Sequence, residues 1–195
     1  MAQHPTSFTV MITGQIESAE VPDCENAYCK YQVVHGEDWK FLDGQEDGMT
    51  QASRRSQGPD DSFVWNFPLD LTYNSTNVFG WPQIIVTVFS TAGGGAVMGY
   101  GCVHFPTCPG RYTQKLRLFR PQSSTIQQAI LNTLRGTTPE FSDPKFPSYG
   151  SGREVTRVTS CGHCVVKCQV LTKDMEECGY DVGSAARTDS GMFTL

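Results

Sequence analysis

Apolar and polar residues alternate along much of this chain, with the period of two that is typical of half-buried β-strands. The first such segment is Phe8–Ile16, in which every second residue from Phe8 to Ile12 is apolar. A second strand is predicted at Ala27–Val34, and a short aromatic strand at Trp39–Leu42. The first quarter of the chain therefore predicts β-structure.

The middle of the chain predicts longer strands. The polar, glycine-rich segment Gly44–Pro59 indicates a loop around at most a short edge strand. In Ser62–Tyr73 aromatic residues recur at period two, and we expect Pro68 to limit strand pairing at one edge. The segment Gln83–Phe89 is apolar on both faces, which is typical of a central strand.

The last part of the chain mixes strand and helix patterns. Two strands are predicted at Val97–Phe105 and Arg111–Phe119, with a short turn between them. Only Ser123–Gly136 has the helical period, so it predicts one inserted helix with a serine cap and a terminating glycine. A proline-broken loop then leads to two strands, 153–160 and 164–171, which we expect to be joined by a hairpin turn.

Composition agrees with this β-rich pattern. Hydrophobic residues make up 38% of the 195 residues, with 19 glycines and 11 prolines, so the chain is globular and rich in turns. We predict one all-β domain over residues 8–182, an antiparallel β-sandwich of about eight strands with one inserted helix. Residues 1–7 are expected to form an N-terminal tail, and residues 183–195 a disordered C-terminal tail.

The charge and the ends of the sequence narrow the possible environments. A net charge of −5 argues against a nucleic-acid-binding domain, which is usually strongly basic. The first residues show neither a basic region nor a long apolar core, so no secretory signal is expected. No apolar run approaches the roughly 20 residues of a membrane-spanning helix. We therefore expect a soluble, cytoplasmic protein whose eight cysteines are mostly small buried apolar residues.

The tetrapeptide Cys161-Gly-His-Cys164 allows three interpretations. In a thiol oxidoreductase the first cysteine starts a helix, but here residues 164–171 alternate as a strand does. A zinc knuckle needs a second pair of ligands, and the sequence contains no second Cys-x-x-Cys. The favoured interpretation is a hairpin turn at Gly162-His163 with inward-facing thiols.

Other ligand and catalytic patterns are weak. The loop Ser90–Ala96 follows the central strand and contains no acidic residue, so it lacks the carboxylates that hold Ca²⁺. The glycines of this loop are not followed by the Lys-Ser/Thr of a phosphate-binding loop. No catalytic set emerges, and we expect neither a metal nor another cofactor.

Five segments together carry a more specific resemblance. They are Val64–Leu71, Phe79–Val86, Gly99–His104, Gly152–Val158 and Leu171–Val182. Their motifs, among them Gly-Trp-Pro, Gly-Tyr-Gly and Gly-Arg-Glu-Val-Thr-Arg-Val, resemble the B9 domain family, and the similarity covers residues 8–183.

This resemblance implies a calcium-independent, C2-like sandwich without enzymatic activity. It implies a scaffold of the ciliary transition zone and basal body, in the cytoplasm and cytoskeleton. Its expected partners are other B9-domain proteins and the tectonic proteins of the Meckel syndrome module. Such a complex is required for cilium assembly and for the barrier that controls protein entry to the cilium.

Two basic surfaces are candidates for binding. Arg111, Lys115 and Arg117 are predicted to share one strand face, where they could bind an anionic lipid surface or a partner. Arg153 and Arg157 are predicted to share another face, suited to a partner's carboxylates. A solvated outer face or the charge protection of an edge strand explains both patterns equally well. The hypotheses are thus a scaffold, a calcium-independent peripheral lipid-binding module and, least favoured, a thiol oxidoreductase.

Overall fold

The structure is a computed structural model, and it describes residues 5–22, 24–58, 61–92, 95–122, 140–141, 143–149 and 156–183. This part of the chain contains ten β-strands, all paired antiparallel. The strands are β1 (Phe8–Glu20), β2 (Asn26–Val34), β3 (Trp39–Gly44), β4 (Asp47–Met49), β5 (Ser53–Arg54), β6 (Phe63–Ser75), β7 (Gln83–Ser90), β8 (Val97–His104), β9 (Gly110–Pro121) and β10 (Val158–Lys173).

The strands form two curved halves that face each other. All ten strands belong to one continuous sheet in the order β3-β6-β1-β10-β9-β8-β7-β2-β4, with β5 also paired to β2. We call β3-β6-β1-β10-β9 the first sheet and β8-β7-β2-β4 the second sheet. A single residue pair, Tyr100 opposite Phe119, joins them between β8 and β9. The indole N–H of Trp65 on β6 crosses the interior and donates a hydrogen bond to the carbonyl of Ala27 on β2, at 3.2 Å. The fold is therefore the predicted antiparallel sandwich.

The core lies between the two sheets and is built by the period-two pattern. Phe8, Val10 and Ile12 of β1 are fully buried, as are Ile84 and Val86 of β7. Burying each large apolar side chain of this kind contributes about 1.5–3 kcal/mol. Since the polar residues between them face outward, the alternation of the sequence fixes which face of each strand packs inside.

Several details differ from the sequence-based expectation or extend it. The segment predicted as a loop contains two short strands, β4 and β5, both of which pair with β2. Pairing of β3 with β6 stops at Leu71, so Pro68 has no partner on that side, as predicted. The helix predicted at 123–136 and residues 184–195 of the predicted tail lie outside the described residues. Within those residues, the helical element is a 3₁₀ turn at Phe146–Ser148.

Candidate interaction surface

The Cys-Gly-His-Cys stretch does not form the predicted hairpin turn. Strand β10 runs through it without interruption, and the stretch holds a β-bulge in which Cys161 is the extra residue opposite β9. Gly162 has a φ of +128°, and a Cβ there would overlap the carbonyl oxygen of Glu20 on β1. Glycine at positive φ is common in bulges and in turns. Here β10 stays paired with β1 and β9 on its two sides, so this glycine forms a bulge.

The bulge turns both thiols of this stretch into the core. Cys161 is 5% exposed and Cys164 is fully buried. Burial raises the pKa of Cys164 to about 12 and that of Cys168 to about 11. Burial also raises the pKa of Cys161, although the nearby Arg120 opposes this effect. Buried thiols that stay protonated are poor nucleophiles, so the geometry disfavours the thiol oxidoreductase hypothesis.

The three predicted basic residues of β9 lie together on the outer face of the first sheet. Arg111, Lys115 and Arg117 are exposed, whereas Leu116 and Leu118 between them are buried. In the described part of the chain, none of the three forms a salt bridge. Their charges are therefore available to an external group. We call Arg111, Lys115 and Arg117 the basic row.

Strand pairing adds further charges beside the basic row that the sequence pattern could not place. Lys167 of β10 lies opposite Thr113 and forms an ion pair with Glu17 of β1, with Nζ and Oε1 at 2.6 Å. His163 lies opposite Arg117 and contacts Glu20, with Nδ1 and Oε2 at 3.0 Å. These neighbours come together only through the register of three strands.

The charge environment of His163 follows from these contacts. Burial lowers its pKa below the ordinary value, Glu20 raises it, and Lys115 lowers it. Arg111 contributes differently, because its Nε donates a hydrogen bond to Oε1 of Gln169 at 3.2 Å. On this outer face the basic row therefore lies beside Lys167 and His163, and the acidic residues Glu17 and Glu20 lie on the β1 side.

The same outer face has an apolar part beyond the basic row. Met11 of β1 lies directly opposite Leu171 of β10, and these side chains are 41% and 45% exposed. On the edge strand β3, Leu42 sits at a bulge and is 57% exposed. An apolar patch beside unpaired cations is a common composition for a protein-binding surface.

The second predicted basic pair is only partly described. Arg157 is exposed just before β10, and its carbonyl accepts a hydrogen bond from the backbone N–H of Gln122 at 2.8 Å. Arg153 lies outside the described residues. The structure thus places one of the two arginines on the surface and does not test their common face.

The chain covers its own outer face where β8 and β9 meet. Phe141 packs on Tyr100 of β8, with ring centroids 4.9 Å apart, on Phe119 of β9 at 6.3 Å, and stacks on Phe146 at 4.6 Å. The backbone N–H of Phe141 also donates to the hydroxyl of Tyr100 at 3.2 Å. The residues of the basic row are exposed beside this aromatic cover.

Among the described side chains, no group of three or more His, Cys, Asp and Glu residues is placed to hold a metal ion. The described residues also include no helix with the length and apolarity needed to cross a bilayer.

The fold and this surface define a class first: an antiparallel β-sandwich that exposes a basic row on one outer face. A family model described as "Ciliary basal body-associated, B9 protein" and designated B9-C2 matches residues 10–171. The chain belongs to this B9 family, which confirms the resemblance carried by its motifs.

Relatives are similar over nearly the whole chain. B9 domain-containing protein 1 of Xenopus laevis is 46% identical over 187 residues, which cover 95% of this chain and 94% of that protein. The Homo sapiens protein of the same name is 44% identical, covering 92% and 89%. B9 domain-containing protein 2 of Xenopus laevis is 28% identical, covering 88% and 97%. None of these names states a catalytic activity.

The chain is also similar to solved structures, of which one is a C2 domain. The C2A domain of plant Extended Synaptotagmin 1 is 11% identical to this chain, with a TM-score of 0.39. The matched region covers 86% of this chain and 96% of the C2A chain.

Proposed function

We propose that this protein is a non-enzymatic scaffold of the ciliary transition zone and basal body. It binds other B9-domain proteins and the tectonic proteins of the Meckel syndrome module, in the cytoplasm and at the ciliary cytoskeleton. The complex contributes to cilium assembly and to the barrier that controls protein entry. The support for this role is membership of a family described as associated with the ciliary basal body.

The structural observation that carries the proposal is the basic row, in which three cations are exposed on one outer face and form no salt bridge among the described residues. A partner's carboxylates would form charge-assisted hydrogen bonds with Arg111 and Arg117, for which a guanidinium is well suited. Leu171 and Met11 would add apolar contact area at the edge of the same surface.

Co-purification with B9 domain-containing protein 2 tests this proposal. We expect the complex to form equally well with calcium and with excess EDTA, because no calcium ligands are expected in the loop after β7. Reversing the basic row, Arg111→Glu, Lys115→Glu and Arg117→Glu together, should weaken binding at least tenfold. A matched control reverses three other exposed cations, Lys30, Arg54 and Lys145, with the same change in net charge. If the wild-type proteins associated neither with calcium nor with EDTA, the scaffold role would be refuted.

A second candidate function, peripheral lipid binding, is favoured by one observation. The basic row places three exposed cations on one strand face, and each cation near an anionic bilayer contributes about 1 kcal/mol. The affinity for phosphatidylserine-containing vesicles, measured by sedimentation, should then fall about 100-fold when the charges of the basic row are reversed. Equal vesicle binding by the wild type and the reversed variant would remove this candidate.

A further inference from the structure

The loop between β6 and β7 holds an aromatic side chain out in water. Phe79 is 77% exposed, more than any other large apolar side chain in the described part of the chain. Its neighbour Trp81 is buried, and the described rings include none that stacks on Phe79. Exposing a phenyl ring has a free-energy cost relative to burying it, so its position calls for a physical explanation.

Hydrogen bonds fix the backbone on both sides of this side chain. The N–H of Phe79 donates to Oδ1 of Asn77 at 3.1 Å, and its carbonyl accepts from the indole Nε1 of Trp39 at 2.8 Å. Asn77 also donates from Nδ2 to Oδ2 of Asp38 at 3.3 Å. Since Trp39 is 3% exposed, the loop is tied to the core itself.

Two glycines bring this loop against the β2–β3 connection. Gly80 has a φ of +68°, which favours glycine, and a Cβ there would overlap the Cα of Gly36. The N–H of Gly36 donates to the carbonyl of Gly80 at 2.8 Å. Backbone contacts backbone directly here, so the position of the loop that carries Phe79 is fixed against the β2–β3 connection.

From these contacts we propose that the Phe79 loop is a preorganised anchor that inserts into an apolar, basic-rimmed pocket of another B9-domain protein. This inference rests on the proposed function and adds a second contact with the B9 partner, separate from the basic row. Aromatic residues dominate the binding energy of protein interfaces, and a loop that is already ordered loses little conformational entropy on binding.

The charges around the loop decide the kind of occupant. Four exposed carboxylates, those of Glu37, Asp38, Glu176 and Glu177, lie at this end of the sandwich together with two exposed cations, Lys40 and Lys173. An anionic bilayer would be repelled by this end, whereas a pocket with a basic rim would be attracted. The acidic surroundings therefore favour a protein partner over a membrane.

This chain shows that a B9 sandwich can build such a pocket. A cleft of about 220 Å³ lies between Phe119, Phe141 and Val158, and Arg117 forms part of its wall. A loop-into-cleft contact between identical chains is head-to-tail, so it adds chain after chain and forms a ring or an open filament. The same contact with a related but different B9 domain stops at a complex of two chains. We therefore choose a paralogue as the occupant.

The test measures the dissociation constant between the full chain and purified B9 domain-containing protein 2 by calorimetry. Phe79→Ala should weaken binding about 10- to 100-fold, the value of one buried phenyl ring. Met49→Ala removes another exposed apolar side chain, 55% exposed on β4, and should leave the constant unchanged. Because the Phe79 ring is exposed, its removal should also leave the melting temperature unchanged, which shows that the variant is folded.

A charge variant tests the basic rim independently. Glu37→Lys should weaken the same complex, and the loss should shrink at high salt, whereas Glu25→Lys at the opposite end should have no effect. Wild-type binding that Phe79→Ala does not change would overturn the inference and leave the proposed function standing. Absence of wild-type binding would overturn both. Phe79-dependent self-association, or Phe79-dependent binding to phosphatidylserine vesicles, would overturn the choice of occupant.

Discussion

The β-bulge of β10 makes a stability prediction that separates backbone strain from steric overlap. Gly162 combines a φ of +128° with a Cβ position that overlaps the Glu20 carbonyl oxygen, so Gly162→Ala meets both costs. Two other glycines each meet one cost. Gly179 has a φ of +89° with no atom within 4 Å of the Cβ position. Gly14 shows no such φ, but its Cβ would overlap the Lys167 carbonyl oxygen.

The expected magnitudes follow from these geometries. A positive φ costs a non-glycine residue about 1–2 kcal/mol, partly offset by about 0.4–1 kcal/mol from the stiffer unfolded chain. Gly179→Ala should therefore lose about 1 kcal/mol of unfolding free energy, and Gly14→Ala about 1–3 kcal/mol for the forced shift of a packed strand. Gly162→Ala should lose about 2–4 kcal/mol, close to the sum of the other two.

Urea denaturation of the three variants and the wild type measures these losses. For a chain of this length, each kcal/mol lowers the melting temperature by about 2–4 °C, so Gly162→Ala should melt about 5–15 °C lower. If Gly162→Ala cost no more than Gly179→Ala, the close approach of β1 and β10 at the bulge would be wrong. The continuous strand through the cysteines would then be wrong as well.

Three further measurements probe the core and the outer face. The unfolding free energy should fall as pH rises from about 9 towards 12, because the unfolded chain loses the Cys164 proton that the folded chain keeps. The variant Cys164→Ala should make this slope shallower by up to about 1.4 kcal/mol per pH unit. Equal slopes for the wild type and the variant would contradict the burial of this thiol. In an NMR titration His163 should have a pKa below its ordinary value, and Lys115→Gln should raise it; an unchanged pKa would show that the two side chains do not interact. Trp65→Phe should cost about 1–3 kcal/mol in urea denaturation, since it removes the buried hydrogen bond between the sheets; a cost near zero would mean that this bond adds no stability.

Local alternation was sufficient to predict most of the long strands. Phe8 begins both the predicted and the observed β1, and Gln83 begins both the predicted and the observed β7. The face of the basic row was predicted from the same period, because residues 111, 115 and 117 are separated by even numbers. These features depend on one strand at a time, so the sequence of that strand contains the information.

Features that depend on pairing were not predictable in the same way. The short strands β4 and β5 exist because β2 offers them an edge, and their own sequences have no periodic pattern. The bulge at Gly162 was wrongly interpreted as a turn, since glycine at positive φ is common to both. The ion pair of Lys167 with Glu17 joins residues 150 positions apart, so only the register of β1 and β10 reveals it.

The architecture also explains why this chain is suited to binding without rearrangement. Strand β10 is paired with β9 over residues 158–170 and with β1 over residues 163–173, so β9, which carries the basic row, is held to the rest of the sheet by a long ladder. At the end of the sandwich, the Phe79 loop is held by a core tryptophan and by the contact of Gly36 with Gly80. The backbone of both candidate contacts is thus ordered before a partner arrives, so binding orders only their side chains. A scaffold that must fix the relative positions of its partners requires this rigidity, whereas a flexible loop would bind them without orienting them.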